Sequence, residues 1–248
     1  MEIGAQLYTI RNFCKTKEDY AESLSKIADI GYKNVQISGG CEVEPQWLLN
    51  ELNKNGLKCV VTHCNKIKLQ NEPLSIVEEH NVLGCDYIGL GYFPFEDVAE
   101  ALKLFDEKYS GAAKTLKENG KFFMYHNHAC EFNKLDGKTF LEHIADKYSK
   151  EELGFILDTY WVQTAGGDPA WWLEKLSGRV PCIHLKDHTF DRKMAVLGEG
   201  NINFNRVFEK AEAGGTKYML VEQDDCNGED PFDCLKRSYE YLKARGFK

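Results

Sequence analysis

The sequence predicts an α/β protein that folds as a single (β/α)8 barrel over residues 1–248. The first observation is an alternation, repeated eight times, of short apolar segments with longer amphipathic segments, which is typical of parallel strands joined by right-handed helical crossovers. The second is the length of 248 residues, close to the ~250 residues that such a barrel needs. The third is the lack of a Ser/Pro-rich linker or a break in composition, which argues against two domains.

The eight predicted strands are rich in apolar, β-branched and aromatic residues and are often bounded by glycine or polar turns. In chain order they are Ile3–Tyr8, Asn34–Ser38, Lys58–His63, Tyr87–Leu90, Lys121–Asn127, Gly154–Asp158, Cys182–Lys186 and Tyr218–Glu222. A doubly wound open sheet is the alternative arrangement. The turn after the first strand, Tyr8–Lys15, lacks the G-x-G-x-x-G motif of dinucleotide-binding folds, which favours the barrel.

Helices are predicted between the strands by apolar residues at helical spacing, as at Tyr20, Leu24 and Ile27. The segment from Phe95 to Asn119 is long enough for one helix, and Gly111 is the place where it could break. Dipeptides that end in glycine fit the ends of helices, and they occur just before predicted strands at Asn55-Gly56, Asn119-Gly120 and Gly214-Gly215. Asp-Pro pairs fit the starts of helices, and they occur at Asp168-Pro169 and Asp230-Pro231.

Composition and charge exclude several classes of function. The chain is 43% hydrophobic and 12% aromatic, which supports a large core, and its formal charge of -8 argues against nonspecific binding of nucleic acid or of a membrane surface. No apolar run approaches the ~20 residues of a membrane span, and no signal-peptide pattern follows Met1. The nine cysteines, an odd number without a Cys-x-x-Cys pair, favour reduced core thiols in a cytoplasmic protein.

Polar side chains end four consecutive predicted strands, from the fifth to the eighth. Residues two apart on a strand point to the same face, and each of these polar groups continues the row of an apolar residue on its own strand. The set is His126 with His128, Asp158, His184 with Lys186, and Glu222. Because the C-terminal strand ends of a barrel meet at one mouth, we expect these side chains to converge there.

Two carboxylates and several imidazoles in one mouth predict a divalent cation. A buried ionised carboxylate without a partner costs several kcal/mol or shifts its pKa, and a metal ion offsets the repulsion directly. Taken singly, a strand-end carboxylate often caps the next helix, and a lone strand histidine is usually a hydrogen-bonded core residue. The coincidence at successive strand ends favours a metal or acid–base site. Mixed O and N ligands suit Mn²⁺, Zn²⁺, Co²⁺ or Fe²⁺ better than Ca²⁺, and the choice among the four stays open.

The whole chain resembles the xylose isomerase-like TIM-barrel superfamily of sugar and sugar phosphate isomerases and epimerases, which also includes inosose dehydratases and an endonuclease branch. The resemblance is carried by YHNHACEF at 125–132, LDTYWVQTAGGDP at 157–169, IHLKD at 183–187 and VEQDD at 221–225. It implies one divalent metal ion held by Glu, Asp, His and Glu from successive later strands. Asp158, His184 and Glu222 match the last three of these ligands.

The first ligand position departs from the family pattern. Strand alignment places His126 where many relatives carry glutamate, so either His126 binds the metal or Glu131 folds back from the loop to supply a carboxylate. We expect Glu131, because a carboxylate keeps the family's ligand chemistry. The departure also leaves open whether the chain uses the family's two-glutamate proton shuttle or whether a histidine does part of that work.

The resemblance implies a metal-dependent sugar or keto-sugar isomerase or epimerase that transfers a proton through a metal-stabilised ene-diolate. His128 is the expected general base, because a neutral imidazole titrates near working pH. Glu131 and Glu222 are the expected flanking catalytic carboxylates. Lys186 is expected to stabilise an oxyanion or hold a substrate hydroxyl, and a salt bridge to Asp187 is its simpler alternative.

Polar and aromatic residues near the strand ends predict a wall that binds substrate. We expect Gln6, Gln36, His63 and His126 to hydrogen-bond sugar hydroxyls, and Trp161 to stack on a sugar ring. For each of these polar residues alone, an ordinary structural role is an equal alternative.

The loop after the seventh predicted strand contains Gly198-Glu199-Gly200, and similar proteins carry a G-x-G near the site. As a phosphate cradle this segment is weak, because no P-loop lysine follows. Arg11 and Arg192 are the only obvious arginines near the mouth. We therefore expect an unphosphorylated sugar or a keto-polyol as the substrate.

Three functions remain open. The first is the isomerase or epimerase. The second is a metal-dependent dehydratase, a lyase acting on an inosose or a 3-keto-sugar, which shares the ene-diolate. The third is an apurinic-site endonuclease, against which the charge of -8 and only seven histidines argue. Barrels of this kind often associate through helices or mouth loops, so a homo-oligomer is an open option.

Overall fold

Eight parallel strands close into a barrel in which each strand pairs with its neighbours in chain order. The computed structural model describes all 248 residues of the protein. The strands are β1 Glu2–Gln6, β2 Asn34–Ile37, β3 Lys58–His63, β4 Tyr87–Leu90, β5 Phe122–His126, β6 Leu153–Asp158, β7 Cys182–Leu185 and β8 Tyr218–Val221. Pairing of β1 with β8 completes the closure, with Ala5 beside Val221. The predicted (β/α)8 barrel is confirmed.

Helices follow the strands and pack around the barrel. They are α1 Lys17–Ile30, α2 Pro45–Lys54, α3 Lys66–Asn71, α4 Pro73–Leu83, α5 Val98–Glu118, α6 Phe140–Lys147, α7 Thr159–Thr164, α8 Pro169–Lys175, α9 Phe204–Ala213 and α10 Pro231–Ala244. Short 3-10 helices cover Leu7–Phe13 and Cys130–Phe132. None of the helices is both long and apolar enough to cross a membrane.

The predicted boundaries differ from the structure in two instructive places. β1 ends at Gln6 rather than at Tyr8, because a 3-10 helix begins there and Gln6 Oε1 accepts a hydrogen bond from Tyr8 N (3.0 Å). α5 continues through Gly111 without a break. A single helical glycine costs only ~1 kcal/mol, and the buried residues Tyr109 and Ala113 hold the helix on the barrel on both sides of it.

The interior of the barrel confirms the expected strand faces. A small apolar cluster fills it, made of Val60, Val61, Met124, Ile156, Cys182 and Leu220. The larger apolar cluster contains strand and helix residues and packs the helices against the outside of the barrel. Two residues after the inward-facing residues of β5 to β8 come His126, Asp158, His184 and Glu222. Alternation along the strands therefore delivers these four side chains to one mouth.

The cysteines form no disulfide. All nine are free thiols, and five of them are buried: Cys14, Cys59, Cys85, Cys182 and Cys234. Cys182 belongs to the interior cluster of the barrel. These positions agree with the expected role of cysteine as a small apolar core residue.

A capping box starts α6. Thr139 Oγ1 accepts a hydrogen bond from Glu142 N (3.2 Å), and Glu142 Oε2 accepts one from Thr139 N (2.7 Å). The other carboxylate oxygen of Glu142 forms an ion pair with Lys175. Partial burial opposes the charged form of Glu142, but the bonds from Lys175 and Thr139 outweigh it and lower the pKa of this carboxyl to about 2. Glu142 therefore makes stability depend on pH.

Replacing Glu142 with glutamine is expected to lower the free energy of unfolding by about 1 kcal/mol at neutral pH. Folding lowers the pKa from its ordinary value of 4.5 to about 2, so this contribution is present above the unfolded value and is lost as pH falls toward the folded one. Urea unfolding should show the difference between variant and wild type shrinking with acidity. Glu107→Gln, an exposed partner of Lys103, is the control and should change little. A difference that does not depend on pH would contradict this account.

Candidate functional site

A cavity of about 610 Å³ opens above the C-terminal ends of the strands, where the active sites of such barrels lie. Its polar and aromatic lining comes from the ends of several strands and from the segments that follow them: Tyr8, Arg11, Ser38, His63, Lys66, Tyr92, His126, His128, Trp161, Lys186, Glu222 and Asp224. Six residues expected from the sequence to form the site are among them: His63, His126, His128, Trp161, Lys186 and Glu222. The cavity is therefore the candidate active site.

Four buried side chains bring potential metal ligands together at the base of this cavity. His126, Asp158, His184 and Glu222 each offer one nitrogen or oxygen atom, and these atoms lie within 4.8 Å of one another. The strand register explains the convergence. Asp158 lies directly beside His184 across β6 and β7, and Leu220, two residues before Glu222, lies beside His184 on the other side.

The outer nitrogen of each histidine in this group has an acceptor. His126 Nδ1 lies 3.1 Å from Gly91 O, and His184 Nε2 lies 2.6 Å from Gln36 Oε1. When these outer nitrogens donate, the inner nitrogens present lone pairs to the carboxylates, as in histidines that bind metals. His184 Nδ1 lies 2.9 Å from Glu222 Oε2 but has no hydrogen-bond partner, and Glu222 Oε2 also lies 2.8 Å from Lys186 Nζ. A lone-pair nitrogen and a carboxylate oxygen at this distance need a proton or a metal ion between them, so the donor set fits a divalent ion with mixed N and O ligands.

Lys186 supplies a buried positive charge beside the same carboxylates. Its side chain is 1% exposed, and Nζ lies 2.9 Å from Asp158 Oδ2, 2.8 Å from Glu222 Oε2 and 3.0 Å from Asp224 Oδ2. The alternative salt bridge to Asp187 is not formed. Adjacent residues on a strand point to opposite faces, and Asp187 accordingly bonds to a loop on the other side.

These charges shift the pKa of each group in the cluster. Burial opposes ionisation of Asp158 and Glu222, but Lys186 and the adjacent histidines outweigh it and hold the pKa of both carboxyls well below the usual range. Burial also opposes protonation of His184, but Glu222 and Asp158 raise its pKa. Burial and the charge of Glu222 raise the pKa of Asp224 to about 7, against the opposing effect of Lys186. Asp224 is therefore the carboxyl poised near neutral pH.

Glu131 does not join the cluster, contrary to the expectation that it supplies the first metal ligand and a catalytic carboxylate. Its buried carboxylate accepts hydrogen bonds from Tyr125 Oη (2.8 Å) and His128 N (2.8 Å). Tyr125 is the outward-facing neighbour of His126 on β5, so these bonds hold Glu131 away from the barrel interior. His126 occupies the expected ligand position instead, with Nε2 3.3 Å from Asp158 Oδ2.

Two residues expected to bind sugar lie beneath the cavity rather than in its lining. Gln36 is fully buried and holds His184 through its side-chain oxygen. Gln6 is also fully buried and caps the 3-10 helix through Tyr8 N. Gln36 therefore orients a potential metal ligand, and Gln6 orients the loop that carries Tyr8 and Arg11 to the cavity.

Three of the expected residues in the cavity lining have a buried side-chain nitrogen without a partner. These atoms are His63 Nε2, His128 Nδ1 and Trp161 Nε1, and none of them has a hydrogen-bond partner within the protein. Buried polar atoms are usually paired, so these residues are candidates for contact with a polar ligand.

His128 is held between two aromatic rings. Its ring centroid lies 4.9 Å from that of Tyr92 and 5.2 Å from that of Trp161. Burial, together with the neighbouring His126, lowers the pKa of His128 to about 3. This shift moves the imidazole away from the titration near working pH that the sequence predicts, because burial disfavours its charged form. The role of His128 as general base stays a prediction, and the lowered pKa favours hydrogen bonding by the neutral ring over proton abstraction.

Asp224 is the main site residue that the sequence analysis missed. It follows Glu222 by two positions in VEQDD, so strand alternation could have placed both on one face. The strand ends at Val221, however, and alternation beyond a strand end is not assured. Tyr8 and Lys66 also reach the cavity. Tyr8 lies in the 3-10 helix that follows β1 and Lys66 begins the short helix α3, so strand alternation indicates neither of them.

The loop after β7 is organised around the buried carboxylate of Asp187. This carboxylate accepts four backbone hydrogen bonds of 2.8, 2.9, 3.0 and 3.1 Å, from His188, Gly198, Gly200 and Ile202 respectively. A Cβ atom at Gly200 would clash with the Asp187 carboxylate. The Gly198-Glu199-Gly200 segment therefore binds an internal carboxylate, which leaves its amides no room for a substrate phosphate.

Replacing Asp187 with asparagine is expected to lower the free energy of unfolding by about 2–4 kcal/mol, because several charge-assisted bonds to buried amides are lost or weakened. Urea or thermal unfolding measures the change. Glu199→Gln lies in the same loop and removes a half-exposed ion pair with Arg237, so it is the control and should cost less than about 1 kcal/mol. Similar small effects of both changes would contradict the central role of Asp187.

Comparisons with known proteins agree with this architecture. Residues 24–245 match a family model described as xylose isomerase-like TIM barrel. An inosose dehydratase of Mesomycoplasma hyopneumoniae is 23% identical, in an alignment that covers 91% of this chain and 88% of that protein. A solved sugar phosphate isomerase/epimerase from Parabacteroides distasonis is 22% identical with a TM-score of 0.85, covering 98% of this chain and 93% of that one. A solved L-ribulose 3-epimerase is 13% identical with a TM-score of 0.78, covering 98% and 94%. With most of its length matched by the family model, this chain belongs to the xylose isomerase-like TIM-barrel family.

Proposed function

We propose that this protein removes a proton beside the carbonyl of a keto-sugar or keto-polyol and then expels a neighbouring hydroxyl as water, as a metal-dependent dehydratase. The observation that carries this proposal is the convergence of potential ligand atoms from the buried side chains His126, Asp158, His184 and Glu222, which lie within 4.8 Å of one another at the base of a cavity of about 610 Å³. A cavity of this volume is in the range that binds small molecules. The similarity to inosose dehydratases along 91% of the chain supports elimination as the outcome.

The metal-binding part of the proposal concerns four atoms of the cluster. His126 Nε2, Asp158 Oδ2, His184 Nδ1 and Glu222 Oε2 would hold a divalent ion, for which Mn²⁺, Zn²⁺, Co²⁺ and Fe²⁺ are suited. Bound there, such an ion would polarise the substrate carbonyl and make the adjacent C–H bond more acidic. The acceptors Gly91 O and Gln36 Oε1 fix the ring orientations of the two histidines before any ligand arrives.

Asp224 is the group that we assign to proton transfer. Its carboxylate lines the cavity, and Lys186 Nζ holds both of its oxygens at 3.1 and 3.0 Å. Arg11 fixes the backbone at this point by donating to Asp224 O (3.0 Å). The carboxylate would accept the proton from the substrate carbon and pass it to the leaving hydroxyl. A C–H bond and a C–O bond break, a C=C bond forms, and the proton leaves with the hydroxyl group as water, so no further reactant is needed.

The remaining cavity residues suit a neutral polyhydroxylated ligand. His63 Nε2, His128 Nδ1 and Trp161 Nε1 offer three unpartnered polar atoms to hydroxyl groups. The Trp161 ring adds a flat apolar surface of the kind on which sugar rings stack. Since the glycine-containing loop after β7 is occupied by Asp187, an unphosphorylated substrate is the better fit.

Isomerisation or epimerisation, which the sequence alone favoured, is the second candidate. It shares the first proton transfer and differs only in the fate of the proton, which Asp224 would return to a carbon atom. The approach of His128 after β5 and of Asp224 after β8 to one cavity is compatible with it. The withdrawal of Glu131 toward Tyr125 removes one carboxylate of a two-glutamate shuttle, and this lowers the support for epimerisation.

Deuterium exchange tests both candidates. The metal-loaded protein is incubated in deuterated water with keto-inositols, 3-keto-sugars and simple ketoses, and the substrates are followed by NMR and ultraviolet absorbance. Exchange with loss of water and a rise in enone absorbance is expected. Asp224→Asn should slow the exchange by about 100-fold or more. Exchange with inversion or carbonyl migration and without enone would favour the second candidate. No exchange with any keto-sugar would contradict both.

A further inference from the structure

We propose that the Lys186 ammonium competes with the divalent ion for the carboxylates of the metal centre, and that metal binding transfers this ammonium to Asp224 alone. The inference rests on the metal centre of the proposed function and concerns a positioning residue of that centre. It assigns Lys186 a role different from contact with substrate. The role follows from which carboxylate atoms Lys186 shares with the four-residue cluster.

Lys186 binds the same atoms that the metal ion would use. Nζ lies 2.9 Å from Asp158 Oδ2 and 2.8 Å from Glu222 Oε2. These are also the carboxylate oxygens that approach His184 Nδ1, at 3.7 and 2.9 Å. A divalent ion placed among these donors would lie within a few ångströms of the ammonium, in a site that is almost fully buried, where like charges repel strongly.

Asp224 gives the displaced ammonium a partner outside the ligand set. Both of its oxygens already lie within 3.1 Å of Nζ, and its side chain is 23% exposed at the edge of the cavity. The backbone of Lys186 is fixed on both sides, since Lys186 N donates to Thr159 Oγ1 (3.0 Å) and that hydroxyl donates to Lys186 O (2.7 Å). The transfer therefore requires only a rotation of the lysine side chain.

The competition has two consequences of opposite sign. Without metal, Lys186 compensates two buried carboxylates whose mutual repulsion would otherwise destabilise the mouth of the barrel. With metal, the same ammonium must give up two of its three partners, and metal affinity is reduced accordingly. Removing the charge of Lys186 should therefore weaken the metal-free protein and strengthen metal binding.

Titration of the metal-free protein with Co²⁺, by calorimetry and by the visible absorbance of the bound ion, tests this. Lys186→Met should bind Co²⁺ at least about tenfold more tightly than wild type, because a like charge next to the ion is removed. Its metal-free form should melt at a lower temperature, and Co²⁺ should raise its melting temperature more than that of wild type. Lys121→Met is the matched control. Lys121 is also buried and pairs with Asp86 at the opposite end of the barrel, so its replacement should destabilise the protein without changing Co²⁺ affinity.

A double-mutant cycle separates transfer to Asp224 from a general charge effect. Asp224→Asn keeps the buried lysine and should weaken Co²⁺ binding, because the displaced ammonium loses its partner. In the Lys186→Met background the same change should have a clearly smaller effect, whereas loss of charge alone would act equally in both backgrounds. Unchanged or weaker Co²⁺ binding by Lys186→Met, or no binding by any form, would overturn the proposal.

The deuterium-exchange assay reports on the reaction independently. Exchange activity in wild type combined with unchanged Co²⁺ affinity in Lys186→Met would remove only the lysine competition. Tighter binding in Lys186→Met combined with no exchange on any keto-sugar would remove only the proposed reaction.

Discussion

A Glu222→Gln variant is expected to bind divalent metal at least about 100-fold more weakly than wild type. Even the loss of a residue that only hydrogen-bonds a metal ligand typically lowers metal affinity by about 10–100-fold. The amide carries no charge and binds a cation weakly. Its NH2 group could also take the place of Glu222 Oε2, which lies 2.9 Å from His184 Nδ1 and 2.8 Å from Lys186 Nζ. The exchange of substrate protons should fall by about 1000-fold or more, because metal and polarisation are lost together. Metal content after dialysis, calorimetry and deuterium exchange measure these effects.

The matched control for this change is Glu229→Gln. Glu229 lies in the segment that follows β8, is half exposed and pairs with Arg237, so its replacement should leave metal affinity and exchange unchanged. Asp158→Ala is the companion variant and should also weaken metal binding by at least about 100-fold. If the bound metal survives both Glu222→Gln and Asp158→Ala, the assignment of the metal centre is wrong.

The inward-facing positions at the strand ends could be predicted from the sequence because they depend on alternation alone. The sequence predicts buried strand residues at Met124, Ile156, Cys182 and Leu220. Because residues two apart on a strand point to the same face, the residue two positions after each of them is predicted to point inward as well. The closed barrel then brings these strand ends to one mouth. The convergence of the cluster needed no knowledge of the loops.

The positions of Glu131 and Asp224 could not be predicted, since both depend on loops. Glu131 follows β5 by five positions, and the 3-10 turn that carries it folds to the outward side, where Tyr125 Oη holds it. For Asp224, only the distance to Lys186 shows that it belongs to the charge cluster. Lys186 itself was correctly expected to face the mouth, but its partners come from β6 and the end of β8, and no local pattern could indicate them.

The pKa of His128 illustrates a second limit of sequence reasoning. The His-x-His spacing correctly indicated two imidazoles near the mouth. The enclosure of His128 between Tyr92 and Trp161 arises from residues far apart in the chain. Burial is the first cause of the low pKa, and burial is a property of the assembled loops. We therefore assign proton transfer to Asp224 rather than to His128. The surroundings of Asp224 raise its pKa, whereas those of His128 lower it.

His126→Ala is expected to weaken metal binding and Glu131→Gln is expected to leave it unchanged, and together these variants decide which residue completes the metal centre. His126→Ala removes a nitrogen that lies 3.3 Å from Asp158 Oδ2, so metal affinity should fall by about 10–100-fold. Glu131→Gln should leave metal affinity unchanged and lower the free energy of unfolding by about 1–3 kcal/mol, because the amide cannot accept the bonds from both Tyr125 Oη and His128 N.

Calorimetric titration with Mn²⁺ and urea unfolding, applied to both variants, separate metal binding from stability. The result that would reverse the assignment is a loss of metal from Glu131→Gln with metal retained by His126→Ala. That result would require the segment Cys130–Phe132 to swing inward and the Tyr125 bond to break before metal binds. The side chain of Glu131 is fully buried on the outer side of β5, where its carboxylate accepts two hydrogen bonds. Such a rearrangement would have to replace both of these bonds, whereas His126 reaches Asp158 without any movement of the loop.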